Sequence, residues 1–137
     1  MEITFQIDTY DSDDPQLRDV DDVSVARAVA ALMESLIAID MDWLQRNGAA
    51  PLYRSGVVYC CATGPERFAD IGRVLDCGGG DCAELSAWRI AELRLCGESR
   101  AKAILDISRD RETTMYHVLV LRGNGRREDP SIILGME

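Results

Sequence analysis

The amino-acid sequence predicts an α+β domain, and three observations carry that expectation. Residues 24–46 repeat apolar side chains at helical steps. A second helical stretch opens at Cys82, directly behind the glycines Gly78, Gly79 and Gly80. The last third instead reads as strands around Gly123-Asn124-Gly125, a strong hairpin signal. Helices followed by hairpin-linked strands give an arrangement of N-terminal helices and a Cys-bearing central helix packed on an antiparallel β-sheet. With 137 residues, 47% hydrophobic and 28% charged, the chain suits one domain, residues 1–137, with a sizeable core.

Taken in order, Ile3, Phe5 and Ile7 alternate with Thr4, Gln6 and Asp8, the pattern of a half-exposed strand. Asp11-Ser12-Asp13-Asp14-Pro15 reads as a turn, with Asp14 capping a helical turn at Pro15 and a solvated acidic surface through Asp22. Val25, Val29, Leu32, Met33, Leu36, Ile39, Trp43 and Leu44 then form one helical face, and Asn47-Gly48 stops the helix. Residues 51–56 connect to a short strand at 57–61. Gly64-Pro65 opens a helical stretch continued by Ile71, Val74 and Leu75 to Asp76. The next helix runs from Cys82 to Leu95, with Leu85, Trp88, Ala91 and Leu95 as its apolar line and Gly97 just past its end. Strands are expected at 101–107, 115–122 and 132–134.

Charge and cysteine usage narrow the function classes. A formal net charge of -9 argues against nucleic-acid binding, which needs a basic face. The longest apolar stretch is interrupted by Arg27, Glu34 and Asp40, so no membrane span is expected. Five cysteines, two of them adjacent at Cys60-Cys61, make a poor disulfide framework. Met1-Glu2-Ile3-Thr4 leads into strand alternation rather than a leader, and the expectation is a reduced, cytoplasmic protein.

The chemistry centres on Cys82. Asp81 reads as a helix N-cap and Glu84 completes a capping box, which puts Cys82 at the first helical position. Unpaired backbone N–H groups and the positive end of the helix dipole favour the thiolate there. The plainer alternative is a capped helix that happens to begin with Cys. His117 is the single histidine, on a strand face with Met115, Leu119 and Leu121 that is expected to look toward the core. A lone histidine on such a face is commonly structural, but a thiol at a helix N-terminus gives this one a partner for proton transfer. Asp129 is the candidate orienting carboxylate, its plainer reading being a surface acid that precedes a proline. A three-residue loop pairs Arg122 with Arg126 and places Asp129 on the face of His117, whereas a two-residue loop would place Glu128 there. Glycine at the third loop position favours the former.

In order, Gly79-Gly80-Asp81-Cys82-Ala83-Glu84-Leu85, Tyr116-His117-Val118 and Glu128-Asp129-Pro130 resemble the core of the transglutaminase-like cysteine peptidase superfamily. The resemblance spans residues 76–136, and Pro51 to Gly56, with Glu128-Asp129-Pro130-Ser131, extends it to small phage-encoded relatives. It implies a papain-like arrangement with a Cys82-His117-Asp129 triad that hydrolyses peptide or other amide bonds, or transfers the acyl group to an amine. It implies a protein or peptide substrate, phage structural proteins among them, and no cofactor. The family's upstream oxyanion donor aligns with none of Trp43, Gln45, Tyr53 and Tyr59 in particular. Two alternatives stand beside this: a phage structural or assembly protein that keeps the fold without catalysis, and a redox or metal protein using Cys77 and Cys82. The spacing of the latter pair fits neither a redox pair nor a zinc knuckle.

Overall fold

The computed structural model describes residues 15–61, 68–111 and 114–137. The expected strand at 3–7, the turn at 11–14 and the opening of the helical stretch at 64–67 lie outside them.

Helix α1, Pro15–Asn47, is longer than its apolar repeat and starts at Pro15, a residue suited to the first helical position. It stops where expected, with Gly48 at a positive φ of 66 and its N–H bonded to the Leu44 carbonyl. Met33, Leu36, Ile37 and Asp40 are its buried line. Ile39, expected on that line, is 53% exposed, because it lies two residues from Ile37 and hence about 200° round the helix.

A 3₁₀ turn, Leu52–Arg54, leads to strand β1, Val58–Tyr59, shorter than the expected strand at 57–61. Helix α2, Ile71–Cys77, is capped by Asp70, whose side chain accepts the Arg73 N–H, and closes on Gly78 with φ 74. Strand β2, Gly79–Gly80, pairs parallel with β1. Glycine at 79 lets β1 and β2 approach closely, since a Cβ there would meet the Cys60 sulfur and crowd the Val58 carbonyl oxygen.

Helix α3, Cys82–Leu95, has the expected bounds. Ala83, Leu85, Ala87, Trp88, Ile90, Ala91 and Leu93 are all buried, so nearly the whole circumference is packed, while Leu95 at its end is 38% exposed. α1 lies against α3, and both pack on an antiparallel sheet of β3, Lys102–Arg109, β4, Thr114–Leu121, and β5, Arg127–Glu128. Pairing of Leu121 with Arg127, and the Arg122 N–H bond to the Arg126 carbonyl, confirm the three-residue hairpin loop.

The expected strand at 132–134 is instead part of helix α4, Pro130–Ile133. Asp129 caps it and Pro130 stands at its first turn, so local start signals outweigh the strand preference of Ile132 and Ile133. The protein is thus a mixed α+β fold with a small antiparallel sheet. Among the described residues no helix is long and apolar enough to cross a membrane.

Candidate functional site

The capping box at the start of α3 forms as its sequence predicts. Asp81 Oδ1 accepts the Glu84 N–H at 2.9 Å, and Glu84 Oε2 accepts the Asp81 N–H at 3.1 Å. Glu84 Oε1 also accepts the Ala69 N–H at 3.3 Å, which ties the approach to α2 onto the same carboxylate. Cys82 therefore occupies the first position of α3, half-buried, and no disulfide joins the cysteines of the described residues.

His117 and Asp129 meet. Nε2 of the imidazole lies 2.7 Å from Asp129 Oδ2, and both side chains are about three-quarters buried, 26% and 20% exposed. Asp129 Oδ1 accepts the Ser131 and Ile132 N–H groups at 3.1 and 3.4 Å. One carboxylate oxygen thus caps α4 while the other holds the ring. A carboxylate only accepts, so the neutral ring carries its proton on Nε2 and leaves Nδ1 as the basic nitrogen. Glu128, one residue earlier, points to the other face, as the three-residue loop requires.

The expectation that the His117 face looks toward the helices is corrected. Val118 and Val120 are the β4 residues that pack with α1 and α3, so alternation puts His117 on the opposite face, where Met115 is 68% exposed. Leu119 is buried too, so the middle of β4 shows no apolar–polar alternation from which a core face can be read.

Cys82 lies toward the same end of β4 as His117. Ser86, one turn along α3 from Cys82, donates its hydroxyl to the Val118 carbonyl at 3.2 Å. Arg94, near the other end of α3, donates to the Ala101 carbonyl beside the start of β3, which pairs with the end of β4. The helix N-terminus therefore points toward the first half of β4. From the other side, the Tyr59 N–H bonds the Leu134 carbonyl after α4, and β1 pairs with β2, which leads into Cys82. Cys82 packs against the cluster that holds Val118 and Val120, whereas His117 and Asp129 lie on the other face of β4, so the thiol and the imidazole–carboxylate pair approach the sheet from opposite sides.

Of the four side chains left open as oxyanion donors, Tyr59 is the one with Cys82 and Asp81 among its electrostatic neighbours. Burial first, then a hydrogen bond with Cys61 and the nearby acids, push its phenol up to about 12, so it remains a donor at neutral pH. Tyr53 is committed elsewhere, with its hydroxyl on Glu128 Oε1 at 2.5 Å. The Trp43 indole nitrogen lies over Gly72, and Gln45 is exposed.

Two features escaped the sequence reading. Asp40, seen there as a polar break, is completely buried, with Oδ1 accepting the Ile71 N–H at 3.0 Å. Glu128 gathers donors from two distant parts of the chain, Tyr53 and Arg89, and from Arg122 across its own hairpin. The hairpin register separates Glu128 from Asp129 and brings Arg122 near it, but its partners Tyr53 and Arg89 carry no local signal. Among the described residues no group of His, Cys, Asp or Glu is arranged to hold a metal ion. No family model, curated protein or solved structure matches this chain.

Proposed function

We propose that this protein is a thiol acyl-transfer enzyme of papain-like, transglutaminase-like type, acting on peptide or other amide bonds through Cys82, His117 and Asp129. The observation that carries the proposal is the 2.7 Å bond from His117 Nε2 to Asp129 Oδ2, in a chain whose single histidine it is. Support comes from a half-buried thiol at the first position of a capped helix.

The Cys82 sulfur attacks the substrate carbonyl and forms a C–S bond, and its proton passes to Nδ1 of His117. That proton then goes to the leaving amine as the C–N bond breaks, leaving a thioester on Cys82. Water attacks the thioester, His117 takes its proton, and the acid leaves as the thiol is restored. An amine in place of water gives cross-linking. Asp129 holds the tautomer and stabilises the imidazolium. The Cys82 backbone N–H and the Tyr59 hydroxyl serve as oxyanion donors. Because Cys82 packs on the α1–α3 core and His117 lies on the other face of β4, this chemistry requires the thiol to meet the ring around the end of β4.

Limited alkylation with iodoacetamide across pH, resolved by peptide mass spectrometry, tests this. Cys82 should label fastest of the five thiols near neutral pH, and His117→Ala should slow Cys82 alone. If His117→Ala leaves Cys82 labelling unchanged, the imidazole faces away from the thiol and the catalytic reading falls.

A second reading is a phage structural or assembly protein that keeps this fold without catalysis. The exposed apolar side chains of Ile132 and Ile133 on α4, 60% and 55% exposed, favour it, since an assembly surface would cover them. Wild-type Cys82 labelling no faster than Cys77 would make it the better account.

A further inference from the structure

Glu128 and Asp129 are consecutive, and strand geometry sends their side chains to opposite faces. Glu128 turns inward and is held by three donors. Tyr53 Oη donates to Oε1 at 2.5 Å, Arg89 Nε to Oε1 at 2.7 Å, and Arg122 Nη1 to Oε2 at 2.9 Å. The donors are themselves fixed. Arg89 also donates to Glu92 at 3.2 Å and stacks 5.1 Å from the centre of the Tyr53 ring, and Glu92 accepts the Leu52 N–H at 2.6 Å. Arg122 is gripped from its other side by both oxygens of Glu98, at 2.6 and 3.0 Å. The connector after α1, the middle of α3 and the end of β4 therefore converge on one carboxylate. That carboxylate is 13% exposed, and it lies one residue before the acid that holds the histidine.

β5 has only two paired residues, too few to fix the backbone at Asp129 by ladder bonds alone. The geometry points to Glu128 as a positioning residue that pins β5 so that Asp129 Oδ2 meets His117 Nε2. This rests on the acyl-transfer reading for its consequence in catalysis. The pinning itself is a statement about the His117–Asp129 bond.

One histidine makes the test clean, because its neutral ¹⁵N-labelled imidazole gives a single ring N–H signal. In the wild type, the Nε2–H proton should be downfield and protected from solvent exchange. Glu128→Gln keeps the shape but replaces an oxygen facing arginine with an amide or removes its charge. The resonance should move upfield and exchange faster, and Cys82 alkylation should slow by roughly tenfold, part of the roughly 10²–10⁴-fold that a positioned acid–base group supplies. Tyr53→Phe, which removes one donor and leaves the carboxylate, should show the same changes more weakly and stands in if Glu128→Gln does not fold. A merely structural role would lower the melting temperature without moving the His117 signal. An unchanged resonance in both folded variants overturns the proposal. If the resonance responds but wild-type Cys82 shows no enhanced labelling, the positioning role stands and the acyl-transfer reading fails.

Discussion

Asp129 performs two tasks with two oxygens, and substitution can separate them. Oδ1 caps α4 and Oδ2 holds His117. Asparagine is as good an N-cap as aspartate, so Asp129→Asn should change stability by less than about 0.5 kcal/mol. Its amide no longer supplies the charge that steadies an imidazolium, so Cys82 labelling should slow and turnover of any amide substrate should fall. Asp129→Ala loses both tasks and should cost roughly 1 kcal/mol in addition. Urea titrations beside alkylation rates on the two variants would separate the effects; equal stability losses would mean that the cap does not matter. Tyr59→Phe is the matching test for the oxyanion donor. It should leave Cys82 alkylation, which develops no oxyanion, unchanged while lowering acyl transfer by roughly 10²-fold.

At the level of elements, α1 is held by one face. Leu36 is 3% exposed within the cluster that joins α1, α3 and the sheet, so Leu36→Ala should destabilise by about 2–5 kcal/mol. Ile39→Ala, one turn along on the open side, should stay within about 0.5 kcal/mol. Equal effects in chemical denaturation would mean that α1 turns a different face inward. The same contrast explains what the sequence reveals. The bounds of α3 are legible because its start signals, Asp81 and Glu84, act on neighbouring backbone groups. The choice of Asp129 over Glu128 was legible because a loop length sets register. The 132–134 segment was misread because strand preference and a helix cap compete over a few residues. The parallel β1–β2 pair, the doubly buried middle of β4 and the Tyr53 and Arg89 donors to Glu128 depend on partners far along the chain, which local patterns do not encode.

Across the whole molecule, acid excess meets a buried acid. The formal net charge is -9, yet Asp40 is completely buried where α1, α2 and the start of α3 converge. Oδ1 has the Ile71 N–H, and Oδ2 has no hydrogen-bond partner among the described residues. Burial is the main cause that raises its carboxyl from 3.8 to about 8; the Ile71 bond opposes this, and the nearby charges of Asp70 and Glu84 add to it. The folded chain therefore keeps a proton that the unfolded chain has lost between those two values. Stability contributed by protonated Asp40 should be fully present below about pH 4, decline as pH rises toward about 8, and level off above it. The slope is at most about 1.4 kcal/mol per pH unit. Two other carboxyls work oppositely. Arg94 first, against some burial, lowers Glu34; burial raises Glu128, but Tyr53, Arg89 and Arg122 outweigh it. Their contributions should be present above about pH 4.5 and fade as pH falls below it. Urea midpoints measured from pH 4 to 9 should therefore decline toward alkaline pH and flatten near 8. Asp40→Asn keeps an acceptor for the Ile71 N–H but cannot ionise, so its midpoints should lose that decline. A decline that persists unchanged in Asp40→Asn would place the titrating group elsewhere.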